Sequence, residues 1–224
     1  MSDACVVLFA KLPRPGRVKT RLIGDQVTAE RAAELYGAFL RDMIRRFQST
    51  AEFDLVVAWA LGDDEGLPDH RGEAIRQHGN DLGERMYDAL RYAARDHEYV
   101  MVLGSDHPEL PRQRVLTAFN ALRRGADAVL GPSRDGGYYL IGLPGRSLKR
   151  RLFEHIEWST DQVLNQTLSR CRAERIEPIL LEVESDIDRP EDLQALRRRL
   201  DEDESIAAET LAVLQSWHDR EARR

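Results

Sequence analysis

Cysteine, long apolar runs and excess positive charge are all scarce in this sequence of 224 residues. Its two cysteines, Cys5 and Cys171, cannot form a disulfide framework or a zinc site by themselves, and both fall in apolar patterns typical of a protein core. The apolar runs are no longer than a strand, so the sequence predicts no membrane-spanning helix. The formal net charge of −6 argues against a general binder of nucleic acids or of anionic membranes.

Internal repeats and low-complexity linkers are missing as well, and the first residues, Met1 to Ala4, lack the charged region of a signal peptide. Free thiols inside a protein core are typical of a reducing compartment. We therefore expect a cytoplasmic protein with no membrane span and no nucleic-acid partner.

The overall composition, with 42% apolar and 32% charged residues, is that of an ordinary globular protein. Its length suits one large domain, which we expect over residues 1–200. Residues 201–224 are highly charged. They carry one apolar stripe at helical spacing, made of Ala207, Leu211, Leu214 and Trp217. This pattern predicts a terminal helix that packs on the domain or on a partner subunit, so we also expect a possible homo-oligomer.

Short apolar runs alternate with helical patterns along the chain. Residues 4–10, 53–60 and 99–103 are typical of buried strands, and a last strand is expected over residues 177–183. Residues 28–48 repeat apolar side chains at three- and four-residue spacing and predict a helix. Strands and helices that alternate in this way predict an α/β fold with a mostly parallel central sheet.

One of these strands ends in a carboxylate. Residues 99–103 lead into Gly104, Ser105 and Asp106, and ligands bind at the carboxyl ends of the strands in such sheets. An Asp at this edge can hold a divalent cation that keeps free positions for phosphate oxygens. The alternative is that Asp106 caps a helix beginning near Pro108. The residues alone leave both roles open.

A basic loop follows the first strand. Prolines and a glycine, Gly16, exclude regular structure over residues 11–21. The loop carries five cations in an otherwise acidic chain: Lys11, Arg14, Arg17, Lys19 and Arg21. Such a run can be a solvated charged surface, but the cations repel one another unless an anion lies among them. We therefore favour a loop that binds phosphates through charge-assisted hydrogen bonds.

Three further segments each have a structural and a functional interpretation. Asn80 or Asp81 caps a helix, or else this helix N-terminus, with Gly79 and Gly83, approaches a nucleotide. Residues 134–138 form the turn of a hairpin, or their paired glycines let the backbone approach a ligand. Asp188 precedes a helix that starts at Pro190, and it is either the cap of that helix or a metal ligand.

Five short motifs occur along the chain: Phe9-Ala-Lys-x-Pro-x-Pro-Gly-x-Val-Lys-Thr-Arg-Leu22, Asp81-Leu-Gly-x-Arg-Met86, Gly104-Ser-Asp-x-Pro108, Asp135-Gly-Gly-Tyr-Tyr139 and Trp158-Ser-Thr160. In this order they resemble the bacterial "transferase 1" branch of the GT-A nucleotide-diphospho-sugar transferases, often called arsenosugar-type glycosyltransferases. The resemblance spans residues 6 to 193. It implies a three-layer α/β/α Rossmann-like GT-A fold, similar also to that of the molybdenum-cofactor and phospholactate guanylyltransferases.

The resemblance also implies roles for single residues. Lys11, Lys19 and Arg21 would face nucleotide phosphates, Asp106 would be the metal ligand at the strand end, and Asp188 would share that metal. The sequence departs from many glycosyltransferases in one respect. It lacks an Asp-x-Asp pair, because a serine precedes Asp106 and a histidine and a proline follow it.

We expect the following site residues. Catalysis is assigned to Asp106 and Lys19, and a Mg²⁺ or Mn²⁺ cofactor to Asp106 and Asp188. The nucleotide-binding residues are Ala10, Lys11, Arg14, Gly16, Lys19, Arg21, Gly79, Asp81 and Ser105. The acceptor-binding residues are Arg134, Asp135, Gly136, Gly137 and Tyr138.

These assignments describe a metal-dependent transferase with a nucleotide or nucleotide-sugar donor and a small-molecule acceptor. Glycosyl transfer leads because of the family resemblance. Nucleotidyl transfer from a nucleoside triphosphate, with release of pyrophosphate, is the alternative, because five cations in one loop suit a triphosphate. A nucleotide-binding regulator without chemistry is a third hypothesis.

Overall fold

The computed structural model describes residues 2–48, 51–69 and 72–222. Its strands are β1 (Ala4–Lys11), β2 (Asp54–Ala60), β3 (Glu73–Arg76), β4 (Tyr99–Gly104), β5 (Ala128–Pro132), β6 (Tyr138–Pro144) and β7 (Pro178–Leu180). Its α-helices are α1 (Ala29–Phe47), α2 (Leu82–Ala93), α3 (Arg112–Arg123), α4 (Val163–Ala173), α5 (Pro190–Glu202) and α6 (Ala208–Ala222). The last strand is shorter than predicted, because its regular ladder with β5 runs only from Pro178 to Leu180.

The seven strands form one sheet in the order β3-β2-β1-β4-β6-β5-β7. β1 pairs with β4, β2 with β3 and β5 with β7 in parallel. β6 is antiparallel to both of its neighbours, β4 and β5. The prediction of an α/β fold with a mostly parallel central sheet is confirmed.

The chain divides into two compact units. The first unit consists of Met1–Ala10, Gln48–Gly104 and Pro111–Ser185. The second unit consists of Lys11–Phe47, Ser105–Leu110 and Asp186–Arg224. Two segments of the second unit thus follow β1 and β4 directly in the chain, and these two strands are parallel neighbours.

In the first unit, helices cover both faces of the sheet. Val102 of β4 belongs to an apolar cluster with Leu90 of α2 and Cys171 of α4. Met101, the preceding residue, points to the other face, where it and Leu122 of α3 meet at a glycine of β6. The predicted three-layer α/β/α arrangement is therefore confirmed within this unit.

In the second unit, α6 packs against α1. The predicted apolar stripe of the terminal helix is buried, and Trp217 is only 2% exposed. Its indole nitrogen donates a hydrogen bond to Glu34 of α1 at 2.9 Å. The domain boundary at residue 200 and the homo-oligomer stay predictions. Within the described ranges, no helix is long and apolar enough to cross a membrane.

Candidate active site

The second unit contains the turn that follows β4. Ser105 opens this turn, and the Asp106 side chain after it is 46% exposed. Helix α3 begins only at Arg112, with Pro111 at its N-cap position. The structure therefore decides against Asp106 as the cap of this helix, and leaves its carboxylate for another partner.

Asp188 lies shortly before α5 and does not cap it either. The capping side chain is that of Asp192, which accepts hydrogen bonds from the amides of Arg189 at 2.8 Å and of Asp188 at 3.2 Å. The Asp188 carboxylate instead accepts from Nζ of Lys19 at 3.0 Å and from Nη1 of Arg21 at 3.3 Å. Its side chain is therefore committed to the basic loop.

Lys19 is the centre of this arrangement. Its Nζ lies 2.6 Å from Oδ1 of Asp106 and 3.0 Å from Oδ1 of Asp188, and its side chain is only 2% exposed. Its backbone adopts the left-handed conformation (φ 47°, ψ 38°), which costs a residue other than glycine about 1 kcal/mol. Strain of this kind persists where the surrounding structure enforces it, often at functional sites. The basic loop and the two acids thus converge as predicted, while their roles stay predictions.

The charges of this cluster stabilise one another. Burial by itself would raise the pKa of Asp106, but the charge of Lys19 and its hydrogen bond outweigh burial and hold that pKa below its usual range. Burial would likewise lower the pKa of Lys19, yet the carboxylates of Asp106 and Asp188 raise it above its usual value. At neutral pH, Lys19 is therefore an ammonium and Asp106 a carboxylate.

Tyr36, on α1, supports the turn that follows β4. Its hydroxyl lies 2.7 Å from Oγ of the buried Ser105 and accepts a hydrogen bond from the amide of Lys11 at 3.0 Å. Burial raises the pKa of Tyr36 to about 12, so the hydroxyl stays protonated. The sequence places Tyr36 in the apolar stripe of a helix and contains no signal for this polar role. Ser105, predicted to bind the nucleotide, here binds Tyr36.

Two further contacts join the turn after β4 to the segment that precedes α5. Nε2 of His107, whose side chain is buried, lies 2.8 Å from Oδ1 of Asp186. The amide of Ile187 also donates to the carbonyl of Asp106 at 3.3 Å. Sequence reasoning missed His107 and Asp186, although each lies within two positions of a predicted metal ligand, Asp106 or Asp188. That proximity is the only signal that could have indicated them.

Arg46 of α1 fixes the far end of the turn. Its Nη1 donates to the carbonyl oxygens of Pro108 at 2.5 Å and of Leu110 at 3.0 Å. Its Nη2 contacts the carbonyl of Ile206, in the connection between α5 and α6. Sequence reasoning also missed this residue, because carbonyl groups that accept from a distant arginine have no sequence signature.

The other cations of the basic loop lie at the surface. Four of its five cations are exposed, namely Lys11, Arg14, Arg17 and Arg21. Gly16 has φ +70°, and no atom lies within 4 Å of the position that a Cβ would take. The backbone conformation of the turn, and not close packing, therefore favours glycine there. The anions that lie among Lys19 and Arg21 are the protein's own carboxylates. The repulsion among the cations is therefore relieved in part without a bound phosphate.

The two carboxylates fit a hard divalent cation. Mg²⁺ prefers an octahedron of oxygens, commonly one or two carboxylates completed by waters and substrate phosphates. Within the part of the chain that is described, no group of three or more His, Cys, Asp or Glu side chains could hold a metal, so Asp106 and Asp188 would be a two-carboxylate site. Both already point an oxygen at one cation, the ammonium of Lys19.

The remaining predicted nucleotide-binding residues lie in the first unit, each in a structural role. Asp81 is the N-cap of α2 and accepts from the amide of Glu84 at 2.8 Å. A side chain on Gly79 (φ +140°) would lie 2.8 Å from the amide nitrogen of Arg85, so the turn itself requires glycine. The carbonyl of Ala10 lies 3.5 Å from Nε2 of Gln77. Their nucleotide-binding roles stay predictions.

The predicted acceptor-binding residues form the turn between β5 and β6, and the last of them, Tyr138, is the first residue of β6. The amide of Gly137 donates to Oδ1 of Asp135 at 2.9 Å, and the amide of Leu164 donates to the carbonyl of Gly136 at 2.9 Å. Arg134 has an exposed side chain. The hairpin alternative is therefore correct as a description of the backbone. Binding of an acceptor by this turn stays a prediction.

Three of the five sequence motifs meet around Trp158. The ring of Tyr138 contacts that of Trp158 edge-on, with centroids 6.5 Å apart. A side chain on Gly83 of α2 would lie 2.9 Å from Nε1 of Trp158 and 2.5 Å from the carbonyl of Phe153. Close packing explains why small and aromatic residues occur in these motifs, and the contact joins segments that are distant in sequence.

Replacing Gly136 with alanine is expected to destabilise the protein by about 3 kcal/mol, because a left-handed φ of +88° is combined with a backbone clash. The added Cβ would lie 2.2 Å from the carbonyl oxygen of Asp161. The matched control is Gly125→Ala, with φ +98° and no atom within 4 Å, which should cost about 1 kcal/mol. Urea unfolding measures both, and equal losses would show that the clash is relieved.

Comparisons with known proteins identify a family and a similar crystal structure. A family model described as an uncharacterized protein conserved in bacteria (DUF2064) matches residues 43–160. The crystal structure of a candidate nucleotide-diphospho-sugar transferase from Desulfovibrio desulfuricans G20 has a TM-score of 0.88 and 36% sequence identity, over 96% of this chain and 95% of that chain. Comparison with curated protein sequences finds no match.

Two other solved structures are similar in fold. A cytidylyltransferase from Leptospira borgpetersenii serovar Hardjo-bovis (strain JB197) has a TM-score of 0.59 and 13% identity, over 99% of this chain and 96% of that chain. The 4-diphosphocytidyl-2C-methyl-D-erythritol synthase from Anaerococcus prevotii DSM 20548 has a TM-score of 0.56 and 16% identity, over 89% of this chain and 99% of that chain. At these identities the likeness concerns the fold alone.

Proposed function

We propose that this chain, which belongs to the bacterial DUF2064 family and has a GT-A-like transferase fold, transfers a group from an activated nucleotide to a small-molecule acceptor. The group is a sugar, and the donor is a nucleotide-diphospho-sugar. The observation that carries this proposal is the contact of Lys19 in the basic loop with Asp106, in the turn after β4, and with Asp188, ahead of α5.

The proposed roles follow from the charges of the second unit. Asp106 and Asp188 would hold Mg²⁺ or Mn²⁺, and the bound ion would supply positive charge opposite the leaving phosphate. The exposed cations Lys11 and Arg14, on either side of Pro13, bind the outer phosphate oxygens. Tyr36 keeps the turn in place through its contacts with Ser105 and the amide of Lys11.

The similar proteins support this choice without deciding between donors. The relative at 36% identity is a candidate nucleotide-diphospho-sugar transferase, which favours a sugar nucleotide. Nucleotidyl transfer is the second candidate function, because the exposed side chains of Lys11, Arg14 and Arg17 provide more positive charge than a metal-bound diphosphate requires. The cytidylyltransferases share the fold, so both reactions are compatible with it.

The product released from the donor distinguishes the two reactions. The protein is incubated with Mg²⁺ or Mn²⁺ and pooled acceptors, once with labelled sugar nucleotides and once with labelled nucleoside triphosphates. We expect a nucleoside diphosphate to be released from a sugar nucleotide, at a rate that depends on the acceptor. Pyrophosphate released from a triphosphate would establish nucleotidyl transfer instead. Tight nucleotide binding with neither product would favour the non-catalytic regulator.

A further inference from the structure

The ammonium of Lys19 occupies the position between the two carboxylates that the proposed function assigns to a metal. Nζ lies 2.6 Å from Asp106 and 3.0 Å from Asp188, so the two carboxylates already share one cation. A Mg²⁺ ion bound to both would stand about 2.0–2.1 Å from each oxygen. Nζ and the metal therefore compete for the same space and for the same negative charge.

A metal ion would approach the two carboxylates from the solvent. The side chains of Asp106 and Asp188 are 46% and 32% exposed, whereas that of Lys19 is 2% exposed. Lys19 reaches them from inside the unit, past the ring of Phe39, whose centroid lies 5.6 Å from Nζ. The carboxylates thus have a protein cation on one side and an open approach on the other.

We infer that Lys19 is a resident counter-ion, which keeps Asp106 and Asp188 together in the metal-free protein and is displaced from between them by the divalent cation. The displaced ammonium is then available to a donor phosphate that arrives with the metal. This inference rests on the proposed function, because it requires the metal site at Asp106 and Asp188. It predicts that Lys19 weakens metal binding in the absence of nucleotide, although turnover depends on it.

Lys19→Met tests the inference because methionine fills the buried space of the lysine stem without its charge. The control is Arg21→Met, which also removes one positive charge from Asp188 but from an exposed position, 3.3 Å away and with 60% of the arginine side chain accessible. Mn²⁺ binding without nucleotide is measured by the electron paramagnetic resonance signal of free Mn²⁺. Asp106→Asn reports whether the bound ion is at the proposed site.

We expect Lys19→Met to lower the Mn²⁺ dissociation constant at least tenfold, Arg21→Met to change it less than threefold, and Asp106→Asn to abolish the binding. If Lys19→Met binds Mn²⁺ no more tightly than the wild type does, and Asp106→Asn loses the binding, the counter-ion role is wrong. The metal site at Asp106 is then still supported. If no variant binds Mn²⁺ even with nucleotide, both the metal site and this inference fail.

A second variant covers the case in which Lys19→Met does not fold, since it leaves two carboxylates facing each other. Lys19→Gln is neutral and can still donate hydrogen bonds through its side-chain amide. We expect its melting temperature to rise on addition of Mn²⁺ by more than that of the wild type, because the metal replaces a lost counter-ion. A rise no larger than in the wild type contradicts the inference.

Discussion

Replacing Asp106 with alanine lowers turnover by at least two orders of magnitude while the fold survives. Asp106 is the proposed metal ligand, and loss of a group that stabilises the developing charge on a leaving phosphate typically costs this much. Its side chain is half-exposed and its carbonyl still accepts from the amide of Ile187, so the turn should keep its position. Lys19 would retain Asp188 as its partner.

The measurement is steady-state release of the nucleotide product, with circular dichroism to verify the fold. Asp106→Asn keeps the volume of the side chain and removes only its charge, so it should lose nearly as much turnover as the alanine variant. The control is Asp25→Asn, which neutralises an exposed aspartate of the same unit and should stay near wild-type activity. Near-normal turnover in both Asp106 variants would remove the metal assignment.

Replacing Asp42 with alanine destabilises the protein by about 3 kcal/mol. Asp42 lies on α1, is 6% exposed, and binds the first turn of α6. Its Oδ1 accepts from the amide of Glu209 at 3.0 Å, and its Oδ2 accepts from the amide and the hydroxyl of Thr210 at 2.8 Å and 2.6 Å. Alanine leaves these donors without their acceptor, at a cost of about 1–3 kcal/mol for each buried group.

Urea unfolding followed by circular dichroism measures this loss, and a lower midpoint with an unchanged slope identifies a change in stability. The matched control is Arg45→Ala, at the same helix pair. Arg45 contacts Glu209 at 2.9 Å, but its side chain is 70% exposed, and such an ion pair contributes at most about 1 kcal/mol. A loss below about 1 kcal/mol for Asp42→Ala would show that α6 depends little on this contact.

Regular elements follow closely from local patterns in the sequence. The helix predicted over residues 28–48 is Ala29–Phe47, and the strand predicted over residues 99–103 is Tyr99–Gly104. These segments are correct because periodicity and chain breakers act over a few residues. The strand predicted over residues 177–183 is cut to Pro178–Leu180, because strand length depends on the partner strand as well as on the apolar run.

Two of the alternatives that the sequence left open were questions of which partner an aspartate side chain takes. Asp81 caps its helix, whereas Asp188 leaves the capping of α5 to Asp192. Before folding, both acids have the same local setting, an Asp ahead of a helix. Only Asp188 has cations from another segment, Lys19 and Arg21, within reach of its carboxylate. A strong charged partner outcompetes a backbone amide for the carboxylate.

By itself the sequence determined the sheet class, the order of the elements, and the positions of the basic loop and the acids at strand ends. Each of these depends on neighbours within a few residues, and the chemistry of those neighbours is written in the chain. Only the tertiary structure decided that Lys19 stands between Asp106 and Asp188, although 169 positions separate Lys19 from Asp188. That contact forms only when packing brings distant segments together, which is why no local pattern contains it.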